Sequence, residues 1–205
     1  RRIQDVKMLK PASKVNIDLE LFGGLVAVAA TLLLLLKALR HFDDSWDGTA
    51  YHLVLSAFRA HLLTLDDFKP IPNYVAFYHA FPRLLDTIRG YTWRITGSIL
   101  ILQTFNLLAI GALLAFWKRR YGLSVRWTLI AVLTVPLIQI GSTTLYVDTF
   151  ANCFFTIALS ALAAAFIERR PLDRFETVAA FAGLAIAANT KPQFVELGIA
   201  ALLLL

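Results

Sequence analysis

Long runs of uncharged, apolar residues constrain this chain more than any other feature of its sequence. Such runs cover residues 21–36, 95–117, 127–147 and 149–167. A membrane-spanning helix needs about 20 apolar residues, and these runs approach or exceed that length. With 58% hydrophobic residues and a mean hydropathy of +0.65, the chain is too apolar for an ordinary soluble domain. The sequence therefore predicts an all-α, polytopic membrane protein.

We expect a single transmembrane domain over residues 1–205, a helical bundle of about six spans with the last one truncated. Because the chain opens on Arg1 and ends within an apolar segment, we expect it to be a piece of a longer protein. Pro136 lies in the third span and is expected to kink it. The predicted segments are a cytoplasmic tail at 1–18, a first span at 19–39, an external loop at 40–94, and further spans at 95–117, 127–147, 148–167, 175–190 and 193–205.

The distribution of basic residues predicts the orientation of this bundle. Five Lys or Arg lie in residues 1–14, four in 118–126 and three in 168–174, whereas the intervening connections 146–148 and 189–193 have none and one. By the positive-inside rule, the tail and the basic connections lie in the cytoplasm, and the long loop lies outside. The net charge of +6 is thus a signal of membrane topology and does not indicate nucleic-acid binding.

The external loop is expected to carry two surface segments. Apolar residues repeat at helical spacing from Tyr51 to Leu62, which predicts an amphipathic helix on the membrane surface, capped by Asp47 or Ser45. Two prolines then break the pattern, and the aromatic stretch Tyr74–Phe81 suits the headgroup layer. Three arginines of the loop are expected to face lipid headgroups, namely Arg83, Arg89 and Arg94.

Acidic residues cluster where the first span meets water. Three carboxylates lie within five residues, and the predicted topology brings them to the same membrane face as the side chains of 146, 148 and 191. Carboxylates held near hydrocarbon are costly unless they are paired or functional, and a base beside a phosphate-binding cation is one such function. Simpler roles are open: a helix cap for Asp47, a helix start for Asp148, and an interfacial anchor for Lys191. The three clustered carboxylates are Asp43, Asp44 and Asp47.

Residues 46–52, Trp-Asp-Gly-Thr-Ala-Tyr-His, resemble the acidic motif in the first external loop of the GT-C glycosyltransferases. This superfamily includes the protein O-mannosyltransferases and the bacterial aminoarabinose transferases. Asp47 and Tyr51 keep the spacing of its aspartate and aromatic residue, and residues 146–148 and 183–191 resemble recurring segments of the bacterial branch. The usual Asp-Glu pair is Asp47-Gly48 here, so a second acid would come from Asp43, Asp44 or Asp148, or be absent.

The resemblance implies an integral-membrane glycosyltransferase that moves a sugar from a polyprenyl-phosphate donor to a lipid, glycan or protein acceptor. The active face would be extracytoplasmic, on a bacterial inner membrane. Asp47 would be the general base and Asp148 the second catalytic acid. The sequence does not decide on a cofactor: no metal ligands are identified, so many carboxylates would admit a divalent metal, and some members of the superfamily work without one. The implied substrate-binding residues are Asp44, Tyr51, His52, His79, Tyr146 and Lys191.

Two histidines and two other protein classes carry alternative interpretations. His52 and His79 fit structural hydrogen bonding as well as ligand binding, because no His or Cys spacing resembles a zinc site, and the segment around His79 lacks the His-Pro-Pro of some GT-C proteins. A transporter or lipid carrier would use its ionisable residues as a substrate path, and it predicts discontinuous spans and repeated halves. The sequence shows no internal repeat, and the long amphipathic external loop is unusual for a carrier. A non-catalytic scaffold would leave Asp47 unexplained.

Overall fold

A computed structural model of the chain describes residues 14–68 and 84–203. Within these ranges all regular structure is helical and no strand occurs, which confirms the all-α prediction. A π-helical segment covers Gly48–His52, and single 3₁₀ segments cover Leu65–Phe68 and Leu100–Thr104. The α-helices are α1 (Lys14–Arg40), α2 (Leu53–Arg59), α3 (Leu84–Thr96), α4 (Phe105–Tyr121), α5 (Val125–Leu133), α6 (Pro136–Gly141), α7 (Asp148–Glu168), α8 (Arg174–Ala188) and α9 (Gln193–Leu203).

Three helical stretches in the described ranges are long and apolar enough to cross a membrane. They are Asp18–Arg40, Leu100–Tyr121 and Asp148–Glu168, and they overlap the first, second and fourth predicted spans. The 15 residues of α8 rise about 22 Å at 1.5 Å per residue, short of a hydrocarbon core of about 30 Å. The structure therefore supports a membrane protein with three such helices, and the count of six spans stays a prediction.

Two predicted spans differ from the observed helices. The second begins at Leu100 and not at residue 95, because the chain turns at Gly97, whose φ of +67° suits a residue without a side chain. The third, predicted over 127–147, is divided. Val135 is extended, Pro136 starts the short helix α6, and no regular helix covers residues 142–147. The interruption is thus larger than the predicted proline kink, since proline disfavours helix in the residue before it.

Helix α7 lies at the centre of the core and packs between α4 and α8. Its buried face includes Ile157 and Ala161, and the facing side of α4 includes Ile110 and Leu113. The contact with α8 is close because of Gly183, where an added Cβ would lie 2.6 Å from the carbonyl oxygen of Phe154. Small residues at such crossings let two helix backbones approach within a membrane.

Ion pairs join the helix ends at one end of the bundle, which we call the basic end. Arg120 at the end of α4 pairs with Glu168 of α7 and Glu176 of α8, and Arg170 pairs with the same two carboxylates. Glu176 is fully buried, yet it also forms a capping box with Asp173. This arrangement gathers the basic connections 118–126 and 168–174 at one end, as the alternating topology predicts.

The opposite end, which we call the site end, is held together by amide side chains. Gln103 Nε2 donates to the carbonyl oxygens of Ala38 (2.7 Å) and His41 (2.9 Å), which joins the end of α1 to the segment before α4. The backbone amide of Leu84 donates to the carbonyl of Asn189 (3.1 Å), so α3 begins beside the end of α8. The segment between α1 and the helix Leu100–Tyr121 is therefore docked on this end of the bundle.

Replacing Gly90 of α3 by alanine should loosen the packing of α3 against α2. An added Cβ would lie 2.0 Å from the carbonyl oxygen of Ser56 in α2, a backbone atom that cannot move independently. We expect a loss of about 1–3 kcal/mol of stability from this overpacking, measured as a lower melting temperature in detergent. The matched control is Gly111→Ala, where an added Cβ meets nothing within 4 Å. Equal melting temperatures for the two variants would contradict the observed packing.

Candidate functional site

The acidic segment after α1 leads into a helix whose first part is π-helical. The Ser45 hydroxyl accepts a hydrogen bond from the amide of Gly48 (3.2 Å), and its carbonyl accepts one from the amide of Thr49 (2.9 Å). Ser45 therefore takes the capping role, and the Asp47 side chain makes no capping hydrogen bond. Short π-helical segments are frequent at functional sites, and here one follows Asp47 directly.

Tyr51 connects Asp47 to the rest of the site. Its hydroxyl hydrogen-bonds the Asp47 carboxylate, and burial together with that carboxylate raises the pKa of Tyr51 to about 12. Asp148 and Tyr146 are close enough to raise the Tyr51 pKa further. The Tyr51 hydroxyl therefore keeps its proton at neutral pH and donates it to the hydrogen bond with Asp47.

Asp148 and Lys191 form an ion pair at the site end. Asp148 lies in the first turn of α7, and Lys191 lies in the turn between α8 and α9. Both side chains keep contact with solvent, at 49% exposure for Asp148 and 28% for Lys191. The structure thus brings together five of the predicted site residues, which we call the acid–lysine cluster: Asp47, Tyr51, Tyr146, Asp148 and Lys191.

Asp43 is bound to backbone and occupies the space beside Gly48. Its carboxylate oxygens accept hydrogen bonds from the amides of Leu145 (2.7 Å) and Ser45 (3.1 Å). A Cβ added at Gly48 would lie 2.6 Å from Asp43 Oδ2. A side chain at position 48, as in the Asp-Glu pair of the resemblance, would therefore displace the Asp43 carboxylate, which fixes the loop that carries Tyr146.

Three elements hold this loop, residues 142–147, in place. Asn106 of α4 is fully buried, and its Nδ2 donates to the carbonyls of Gly141 (2.7 Å), Thr144 (3.0 Å) and Tyr146 (2.9 Å). Arg89 of α3 donates to the carbonyl of Leu145 at 2.5 Å. Together with Asp43, these contacts fix the backbone on which Tyr146 and Asp148 sit, which is the support that a reactive site requires.

Arg89 corrects a prediction, because it does not face lipid headgroups. It is fully buried on the packed side of α3, where Asp86 of the same helix lies 4.0 Å away and His52 Nδ1 lies 3.4 Å from Asp86. Burial lowers the pKa of Arg89 to about 10, so the guanidinium stays charged at neutral pH. Arg94 of the same helix is exposed and donates to the Ala60 carbonyl (3.2 Å), and Arg83 lies outside the described residues.

The remaining predicted site residues lie apart from the cluster or outside the described ranges. His52 is 3% exposed, packs against the Tyr51 ring and contacts Asp86, so it supports the fold and is not presented to a ligand. Asp44 is exposed at the surface. His79 lies outside the described residues. Among residues 14–68 and 84–203, no group of three His, Cys, Asp or Glu side chains is arranged to hold a metal ion.

An apolar cavity of about 650 Å³ opens beside the acid–lysine cluster. Tyr146 and Asp148 line one end of it, and Trp117 and Thr156 line positions further toward the basic end. Asp148 and Thr156 are eight residues apart on α7, which corresponds to about 12 Å along the helix. Helix α7 also contributes Thr149, Asn152 and Cys153 to the lining. The walls from α4, α5 and α6 are apolar: Ile110, Leu113, Val132, Leu137, Ile138, Ile140 and Gly141.

No protein-family model matches the chain, and no curated protein or solved structure matches it. The GT-C resemblance therefore stays a prediction.

Two buried residues that support the site, Arg89 and Asn106, were not predicted from the sequence. The sequence did contain a signal for Asn106, because a polar amide inside an otherwise apolar span is costly unless it is hydrogen-bonded. In the structure its Nδ2 donates to three backbone carbonyls.

Proposed function

We propose that this protein is an integral-membrane glycosyltransferase of the GT-C type that uses a polyprenyl-phosphate-linked sugar. The observation that carries the proposal is the acid–lysine cluster at the mouth of an apolar cavity within a helical bundle. A lipid-linked sugar consists of an apolar chain, a phosphate and a polar sugar, in that order. The apolar cavity, Lys191 and the carboxylates of the cluster follow in the same order.

The cavity and the ion pair account for binding of the donor. The apolar walls between α4, α6 and α7 suit the isoprenoid chain, which would leave water for a hydrophobic surface. Lys191 would bind the phosphate in place of the Asp148 carboxylate. The donor phosphodiester carries one negative charge, as the carboxylate does, and it gains a second when the sugar leaves. Released from Lys191, Asp148 would accept a hydrogen bond from a sugar hydroxyl.

The reaction would be a single displacement with Asp47 as general base. Asp47 removes the proton of the acceptor hydroxyl, the acceptor oxygen forms a bond to the anomeric carbon, and the bond between that carbon and the phosphate oxygen breaks. The electron pair leaves on the phosphate, whose charge Lys191 stabilises, so the product has inverted anomeric configuration. Tyr51 positions Asp47 through its hydrogen bond, and no residue of the chain becomes covalently modified.

The positive-inside rule supports an extracytoplasmic active face, because the cluster lies opposite the basic end. We place the protein in a bacterial inner membrane, since the motif resembles the bacterial branch of the superfamily. The acceptor is a hydroxyl of a lipid, a glycan or a protein.

A lipid carrier is the second candidate, and one observation favours it. The third predicted span is interrupted between α5 and α6, and discontinuous helices are a feature of transporters. The deciding experiment reconstitutes the full-length protein in liposomes with a radiolabelled polyprenyl-phosphate sugar and crude membrane acceptors. Release of polyprenyl phosphate with labelled product supports the enzyme. Movement of intact donor across the bilayer without any release would overturn the proposal.

Filling the cavity should weaken donor binding without altering the acid–lysine cluster. Thr156→Phe places a ring among the lining residues, about two helical turns below Asp148. We expect KM for the donor to rise about tenfold, equivalent to 1.4 kcal/mol, with kcat little changed. Leu159→Phe, on the same helix but outside the cavity, is the control. A rise in KM that is equal in both variants would show that the donor does not use this cavity.

A further inference from the structure

A second apolar groove lies at the basic end, on the opposite side of the bundle from the acid–lysine cluster. Its volume is about 790 Å³, and it runs between α1 and the start of α5. One wall is a helical stripe of α1 that includes Gly24, Ala27 and Leu32, and the other wall includes Val125 and Leu129 of α5. This groove has no part in the proposed reaction.

The walls of the groove suit a hydrocarbon chain. Helix α1 is apolar over its 23-residue candidate span, and only 11% of its most apolar stretch is buried inside the bundle. At the basic end the two helices are held together, because Glu20 of α1 pairs with Arg126 and also accepts a hydrogen bond from Trp127 Nε1 (3.2 Å). The groove is therefore a fixed feature between two joined helices, with apolar walls at the depth of acyl chains.

The mouth of the groove carries a positive charge. Two arginines at the basic end have their charge neutralised by carboxylates. Arg126 pairs with Glu20, and Arg120 pairs with Glu168 and Glu176. Lys118 also lines the groove, is exposed, and makes no ion pair with any residue the structure describes.

The start of α5 adds to this positive charge. Its first amide groups have no acceptor within the helix, and the Ser124 side chain makes no capping hydrogen bond to them. Ser124 and Val125 line the same groove as Lys118. A positively charged mouth above apolar walls is complementary to a molecule with an anionic head and an apolar chain.

We infer that this groove binds one anionic phospholipid of the membrane leaflet at the basic end, with its phosphate at Lys118 and an acyl chain along α1. By the positive-inside rule this leaflet faces the cytoplasm. A zwitterionic phospholipid has the same chains and a phosphate, but its ammonium group offsets the phosphate charge, so it would gain less from Lys118. The inference does not depend on sugar transfer at the opposite end.

Native mass spectrometry of the full-length protein with phosphatidylglycerol and phosphatidylcholine tests this inference. We expect one phosphatidylglycerol to bind about fivefold more tightly than phosphatidylcholine, from one lysine near an anionic surface. Lys118→Ala should remove this preference while leaving basal lipid binding. Gly24→Leu should displace the lipid itself, because the position has open space for a side chain that would fill the groove.

Two matched variants serve as controls. Arg174→Ala removes one exposed charge at the same end, and Gly111→Leu adds the same side chain at an open position of α4. Both should keep the phosphatidylglycerol preference of the unmodified protein. Equal binding of the two lipids, or a preference that survives both Lys118→Ala and Gly24→Leu, would overturn the inference. The second result is the one expected if a protein segment or a second copy of the chain occupies the groove.

Discussion

Asp47→Asn should abolish sugar transfer while leaving the fold intact. The substitution keeps the size of the side chain and its ability to accept a hydrogen bond from Tyr51, but it removes the basicity that the proposed displacement requires. General base catalysis contributes about 10²–10⁴-fold, so we expect kcat to fall on the order of 10³-fold. The measurement is the initial rate of product formation at saturating donor, with little change expected in donor KM.

Two further measurements make this result specific. Glu196→Gln, at an exposed carboxylate in the first turn of α9, should retain full activity. The melting temperature of Asp47→Asn should equal that of the unmodified protein, because Asp47 does not cap the helix. Activity within a few fold of the unmodified rate would exclude Asp47 as the base and would leave the cluster without its proposed chemistry.

Arg89→Gln should produce the largest loss of stability among substitutions in the segment between the first two candidate spans. The arginine is fully buried, donates to the Leu145 carbonyl and lies 4.0 Å from the Asp86 carboxylate. Removing one member of a buried charge pair leaves the other uncompensated, which costs about 3–5 kcal/mol. Thermal unfolding in detergent measures this loss. Because Leu145 precedes Tyr146 and Asp148, we also expect activity at low temperature to fall with little change in donor KM.

Arg94→Gln is the matched control for Arg89. It lies on the same helix and removes the same charge, but its side chain is exposed and makes a hydrogen bond of 3.2 Å to the Ala60 carbonyl. An exposed interaction of this kind contributes under about 1 kcal/mol. Similar melting temperatures for the two variants would mean that Arg89 does not hold the loop at residues 142–147.

Hydrophobic runs were sufficient to predict the helices that are apolar all round. The apolar runs at 21–36 and 149–167 correspond to α1 and α7, because an uninterrupted apolar segment of that length has few other stable states. They were not sufficient where one residue changes the backbone. Gly97 turns the chain through a positive φ, and Pro136 separates α5 from α6. The second and third spans therefore differ from their predicted limits.

In the candidate site, the order of the spans predicted which residues share an end of the bundle, but it did not predict which side chains are buried. Alternating spans placed Asp47, Asp148 and Lys191 at the same end, and the structure brings Asp148 and Lys191 into contact. Burial of Arg89 was not predictable in this way, because an arginine in an amphipathic helix has the same sequence pattern whether it faces lipid headgroups or a packed interior. Its position depends on the close approach of α2 and α3 at Gly90, which is a tertiary contact.

The structure of the full-length protein with bound polyprenyl phosphate, determined by electron cryomicroscopy in nanodiscs, tests the central claim most directly. The claim is that the acid–lysine cluster and the 650 Å³ cavity form one donor site. We predict that the phosphate lies within hydrogen-bonding distance of Lys191, that Asp148 has left the lysine, and that the isoprenoid chain runs between α4 and α7. A lipid bound elsewhere, with the Asp148–Lys191 pair intact, would contradict the account.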